Sequence, residues 1–262
     1  MKVFALANQK GGVGKSTHCL QIAYYLAAKK KKKVLVVDFD SQGNSSSRIL
    51  QRDEENNVIY PADKTRVIHL FDPALEEVKP AAGVFGIDLV YTFNNDSELS
   101  DIEAAALERA LIPAAHMRKF LASHSYDYVI IDCPPTLGRR LIAALSFAER
   151  VVVPIKVSGF AVEGVEALLS TIVQIQEGAN PDLQVAAFMI NDMDSKSVVH
   201  ARARDELHTS VGDLLLDNVV LHRAPIDTAT SLGVPIWSLG YAHSAAKELS
   251  AMYDELMQRI GK

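Results

Sequence analysis

Residues 9–17 read Gln9-Lys10-Gly11-Gly12-Val13-Gly14-Lys15-Ser16-Thr17 and stand directly behind the apolar run Val3-Phe4-Ala5-Leu6-Ala7. Beyond them Cys19, Ile22, Ala23, Leu26 and Ala27 keep helical spacing. A strand, a glycine-rich turn ending in Gly-Lys-Ser, and a helix, in that order, form the setting in which a phosphate-binding loop works. Gly11, Gly12 and Gly14 let the backbone curl so that successive N–H groups converge on phosphate oxygens, and the helix start adds partial positive charge. Lys15 is expected to meet the outer phosphates and Ser16 to offer its hydroxyl to Mg²⁺, with Val13 and Thr17 completing the loop. The stretch reads as a nucleotide-binding site and opens an α/β fold.

Against the general pattern G-x-x-x-x-G-K-[ST], Gln9 occupies the place of the first glycine, and Lys10 adds a second lysine to the loop. Lys10-Gly11-Gly12-Val13-Gly14-Lys15-Ser16 resembles the deviant Walker A motif of the ParA/MinD family of ATPases. The resemblance implies that Lys10 reaches across a dimer interface to the partner's nucleotide. A second apolar run, Val34 to Val37, ends in Asp38-Phe39-Asp40-Ser41-Gln42-Gly43-Asn44, so two carboxylates leave the C-terminal end of a strand, where open α/β sheets place ligands. This is similar to the family's second motif with Ser41 in place of a proline, and it implies that Asp40 positions or activates the attacking water near the metal. Capping of the next helix is the alternative for Asp40. A third run ends in Asp132-Cys133-Pro134-Pro135. It resembles the family's Walker B strand and makes Asp132 the residue that holds Mg²⁺ through water.

With 262 residues, 48% of them hydrophobic, the chain can bury a large core, and it is read as one P-loop ATPase domain over residues 1–262. A net charge of −5 excludes a protein that binds nucleic acid through bulk charge; any such surface must be a local patch. Cys19 and Cys133 form neither a disulfide framework nor a metal-ligand pattern, which suits a reducing compartment. No stretch is long enough to span a bilayer, and no leader precedes the first strand.

Lys29 to Lys33 read as a solvated turn at a helix C-terminus, where family members usually carry a glycine. Val67–Leu70 and Ile87–Tyr91 read as strands, 98–111 as a helix, and Val151–Ile155 and Val185–Ile190 as further buried strands. Between the last two, Phe160, Val165, Leu168, Leu169 and Ile172 keep helical spacing. Asn191 ends the second of them. It either reads the adenine edge, as its place resembles MinD-like relatives, or satisfies a turn backbone. Lys196, His200, Arg204 and His208 recur every four residues, as one helical face, and Val219–Leu221 reads as a strand leading to Arg223. In the terminal helix Leu249, Met252, Tyr253, Leu256 and Ile260 form an apolar stripe suited to docking on a sheet.

Strand and helix alternate throughout, which predicts an α/β fold with a mostly parallel twisted sheet and helices on both faces. The resemblance implies a ParA-like partition ATPase using ATP and Mg²⁺. Such a protein forms a nucleotide-sandwich homodimer, binds DNA non-specifically, hydrolyses ATP on stimulation by a ParB-like or adaptor protein, and works in the cytoplasm on the nucleoid without a membrane. A start at the first strand leaves no place for an N-terminal DNA-binding domain. Lys196, Arg204 and Arg223 are the DNA candidates, with a solvated face as the alternative. A MinD-like membrane-positioning ATPase and a small-molecule P-loop ligase are the competing functions.

Overall fold

The computed structural model describes residues 1–157 and 161–261. Among them the strands are β1 Lys2–Leu6, β2 Val34–Asp38, β3 Ala81–Ala82, β4 Asp88–Val90, β5 Tyr128–Asp132, β6 Arg150–Lys156 and β7 Gln184–Asn191. They form one sheet in the order β3-β4-β2-β5-β1-β6-β7, parallel throughout except for the antiparallel β3 at one edge. The helices are α1 Lys15–Tyr24, α2 Asn44–Ile49, α3 Ser97–Asp101, α4 Ile112–Ser123, α5 Arg139–Leu145, α6 Ala161–Glu177, α7 Val198–Val211, α8 Ala224–Leu232 and α9 His243–Gly261.

The near-continuous apolar strands are what a sheet covered on both faces requires. Val3, Ala5, Val37, Val129, Ile131 and Val153 pack on one side with Met117 and Phe120 of α4, Leu141 of α5 and Leu168 of α6. Phe4, Leu6, Val36, Ile130 and Val152 pack on the other with Leu20 and Ile22 of α1 and Leu249, Met252 and Leu256 of α9. The alternation in β1 thus assigns Phe4 and Leu6 to one layer and Val3 and Ala5 to the other. Strand order reverses on either side of β1, so its C-terminal end opens on the crevice where the first loop sits. The predicted sheet and the predicted docking of α9 are both present: Leu249, Met252, Tyr253, Leu256 and Ile260 are all buried.

Other segments differ from expectation. Val67–Phe71 is a 3₁₀ helix, not a strand, because Val67, Leu70 and Phe71 are the buried positions and their spacing is helical. The stretch 98–111 is not one helix. It breaks into α3 and two 3₁₀ turns, and the long helix α4 starts only at Ile112, with Pro113 in the first turn where a missing N–H costs nothing. Val219–Leu221 runs extended but makes only a single bridge, Leu221 to Met193. Of the residues placed between β6 and β7, Phe160 lies outside the described residues.

The lysine run follows α1 through a π turn at Tyr25–Lys29, and Lys31 takes the left-handed conformation with φ 57°. An exposed lysine therefore carries the backbone strain that a glycine would avoid. Lys31→Gly is expected to stabilise the fold by about 1 kcal/mol, raising the melting temperature by roughly 2–4 °C. A thermal melt of the variant beside the wild type measures it.

A candidate nucleotide site at the end of the first strand

The loop after β1 is built from its anchors outward. Asn8 is buried, donates from Nδ2 to the Pro154 carbonyl of β6 at 2.8 Å, and accepts the Lys10 N–H on Oδ1 at 3.0 Å. Gly12 and Gly14 take φ 72° and 92°, conformations a side chain resists. Gly14 is also the N-cap of α1 and offers no side chain to its free amides, which leaves those donors for an anion. Lys15 folds back beneath the loop, its Nζ donating to the Lys10 carbonyl at 3.3 Å. Burial pulls its pKa down while the Asp132 and Asp40 carboxylates pull it up.

Below the loop, β2 and β5 run in register so that Asp38 lies opposite Asp132, and both are fully buried. Asp38 accepts the backbone N–H of Ser46 at 2.8 Å, its hydroxyl at 2.7 Å and the Asp40 N–H at 3.2 Å. Asp132 accepts the Ser45 hydroxyl on Oδ2 at 2.6 Å, and the nearby Ser16 hydroxyl also favours its charged form. Its Oδ1 is buried with no hydrogen-bond partner among the described residues. Desolvation raises the Asp132 pKa to about 6 and, with Asp132 nearby, holds Asp38 well above the usual carboxylate range. Asp40 is nearly buried and accepts the Gln42 N–H at 3.1 Å.

Gly11, Gly12, Gly14, Lys15, Ser16, Thr17, Asp40 and Asn191 all line one cavity of about 420 Å³, so most of the candidates from the first, second and last motifs meet there. Asp132 lies beneath it, and Val13 is buried behind it with its carbonyl accepting Asn191 Nδ2 at 3.1 Å. The donor set fits a magnesium nucleotide: unpaired helix-start amides and a lysine for phosphates, and an unpartnered buried carboxylate oxygen beside the Ser16 hydroxyl for a hard cation.

Sequence reasoning passed over several of these groups. Ser45 and Ser46 support the two buried carboxylates, and a run of small polar residues after paired aspartates was the signal. Lys156, Asp192, His222 and Asp227 also line the cavity, with the Asp192 carboxylate taking both Lys156 Nζ and His222 Nδ1. These come from three separate segments, which no local pattern joins.

The DNA candidates separate. α7 begins at Val198 behind a Ser197 cap, so Lys196 lies in the preceding turn and not on the expected helical face. Lys196 and Arg223 line a neighbouring groove of about 530 Å³ whose lining does not include Arg204. Arg223 also lines the nucleotide cavity and donates to Glu248 of α9 at 2.6 Å. Arg204 sits half-buried on α7.

The family model of an AAA domain matches residues 1–185. The chain is 32% identical over 258 residues to the chromosome-partitioning ATPase Soj of Thermus thermophilus, covering 98% of this chain and 95% of that protein. Among solved structures it matches the Cyanothece McdA(D38A)–ATP complex with TM-score 0.82 at 20% identity, covering 100% of this chain and 96% of that one. It also matches cobyrinic acid a,c-diamide synthase of Mycobacterium smegmatis with bound ADP and magnesium, with TM-score 0.75 at 24% identity, covering 100% and 96%. Both structures share the P-loop fold.

Beside the loop, His18 is fully buried and burial lowers its pKa from 6.5 to about 4. The folded chain therefore binds fewer protons there than the unfolded chain, so this stabilisation is complete above pH 6.5 and is lost as pH falls toward 4. Between pH 7 and 4.5 the wild type is expected to lose about 2 kcal/mol more stability than His18→Phe, measured by denaturant titration at each pH.

Proposed function

Because the chain belongs to the AAA-domain family of ParA/Soj-type partition ATPases, we propose that it moves or positions DNA or another cargo through an ATP-driven cycle of dimerisation and release. It is an ATPase, and its cofactors are ATP and Mg²⁺. The observation that carries the reading is a single chamber lined by the glycine loop, Lys15, Ser16 and Asp40, above the buried Asp132 with its unpartnered oxygen, with Lys10 exposed on the same loop.

Each residue acts according to its place. Lys15 leaves the Lys10 carbonyl for the outer phosphates, a charge-assisted contact worth more than the one it gives up. Asp40, anchored by Gln42, holds and orients the attacking water. Ser16 and Asp132 would hold Mg²⁺ directly or through water, and the ion, when bound, would offset the charge of the phosphate oxygens. Lys10 extends toward the nucleotide of a second copy, so that two chains face each other across two ATP molecules. Dimerisation doubles the basic groups presented on one side, which lets an acidic protein hold duplex DNA through phosphates without reading sequence. A ParB-like or adaptor protein triggers hydrolysis and release, which makes the working location the nucleoid in the cytoplasm.

The membrane-positioning alternative needs an apolar helix face turned to lipid. In α9 that face is inside the core, and among the described residues no helix is long and apolar enough to cross a membrane. The ligase alternative is separated by association state, since a small-molecule enzyme has no need for ATP to bring two chains together.

Lys15→Ala should abolish binding of a fluorescent ATP analogue and keep the fold. Asp40→Ala should bind ATP and accumulate as a non-hydrolysing dimer, whereas Lys10→Ala should bind ATP without dimerising. Light scattering with ATP reads both; a monomeric Asp40 variant beside a dimeric Lys10 variant would overturn the sandwich.

Wild-type binding to random duplex DNA should require ATP and weaken steeply with salt, and Arg204→Ala and Lys196→Ala should weaken it for all sequences alike. Arg223→Ala is a less clean probe because it also removes a wall of the nucleotide cavity. DNA titrations at two salt concentrations decide this, and absence of wild-type binding at low salt would remove DNA from the proposal.

A further inference from the structure

Gly14 has no room for a side chain: a Cβ there would collide with the Asn191 amide nitrogen and lie 3.3 Å from Cδ2 of His18. The imidazole of His18 and the amide of Asn191 therefore pack side by side over the same glycine. On its far side the imidazole is fixed by α9, with Nδ1 2.9 Å from the Tyr253 hydroxyl and the two rings edge to face at 5.9 Å. Nε2, bonded to the same Cδ2 that faces Gly14, is buried without a hydrogen bond of ordinary geometry, and Asn191 is the polar side chain beside it. A buried polar atom left in this way calls for a reason.

The ring is fully buried and its bonded neighbour is a tyrosine hydroxyl and not a carboxylate, so it sits there as the neutral imidazole, with one N–H and one lone pair. In the tautomer in which the Tyr253 hydroxyl donates to Nδ1, the N–H stands on Nε2, on the side of Asn191. The Asn191 amide is already pinned on its nitrogen side, where Nδ2 donates to the Val13 carbonyl. In this orientation Oδ1 is the amide atom left to accept from an Nε2 donor; a flipped amide would set oxygen against the Val13 carbonyl and N–H against N–H.

Amide orientation has a chemical consequence in a purine site. On its Watson–Crick edge adenine presents a donor at N6 and an acceptor at N1, while guanine presents an acceptor at O6 and a donor at N1. One amide can pair with either, but only in opposite orientations. We infer that His18, held by Tyr253, is a positioning residue that locks the Asn191 amide and so makes the cavity select adenine over guanine nucleotides. This rests on the ATP-site reading, with Asn191 facing the base.

The test is the ratio of Kd for fluorescent GTP to that for fluorescent ATP, with Mg²⁺, on the full chain. Tripolyphosphate competition serves as a readout of the phosphate half alone. The wild type should prefer ATP. His18→Phe and Tyr253→Phe should compress the ratio by roughly tenfold, the scale of one hydrogen bond, with tripolyphosphate competition unchanged. His18→Gln, whose amide nitrogen can stand near Nε2, should keep the preference; Tyr253→Phe carries the test if His18→Phe does not fold. An unchanged ratio in His18→Phe and Tyr253→Phe, with Asn191→Ala compressing it, would overturn the positioning role and leave Asn191 as the base reader. An unchanged ratio in all three, or a wild type that binds ATP and GTP alike, would overturn the inference with the nucleotide loop still standing. Failure of the wild type to bind either nucleotide would bring down the ATP-site reading itself.

Discussion

Two fully buried carboxylates, Asp38 and Asp132, face each other at the ends of adjacent strands, and much of the molecule is arranged around the cost of that pairing. Desolvation and mutual repulsion both oppose ionisation there. The chain answers with donors from three directions: Ser45 and Ser46 at the start of α2, the backbone of Asp40, and the charge of Lys15 from the loop above. The parallel register sets the arrangement, because β2 and β5 must end level for the two acids to meet beneath the nucleotide chamber. The chamber in turn explains why the glycine loop, α2 and the Asp132 turn form one unit at the C-terminal edge of the sheet.

The parts of this unit legible from sequence were those in which one short segment carries both its structure and its chemistry. Apolar runs ending in Asp38, Asp132 and Asn191 read as strands, and in the sheet β2, β5 and β7 end at those residues. The stripe from Leu249 to Ile260 read as a docking face for the same reason. Val67 to Leu70 misled because a four-residue, mostly apolar run suits a strand or a helix alike, and only the joint burial of Val67, Leu70 and Phe71 decides between them. The break before Ile112 was marked by Pro113, whose preference for a first helical turn outweighs the apolar periodicity around it. The Lys156–Asp192–His222 cluster could not be read at all, since its members become neighbours only when β6, β7 and the segment before α8 converge.

The terminal helix does more than cover a sheet face. Besides its apolar stripe, it sends Tyr253 to His18, Glu248 to Arg223 and Asp254 to Tyr25 and Lys30. The first two of these reach residues at or next to the nucleotide cavity. A helix distant in sequence thus helps fix the geometry of the loop at the other end of the chain.

The two margins of the sheet carry a different message. On one side β3 is only two residues long and runs antiparallel; on the other, β7 is met by a bridge from Leu215, the Leu216 and Val220 amides donate to the Phe188 and Ile190 carbonyls, and Leu221 bridges Met193 just past the strand. Neither rim offers the long row of free amides and carbonyls on which a foreign strand could zip. A sheet with such rims is protected from fibrous self-adhesion, and any ordered meeting of two chains is left to side-chain surfaces.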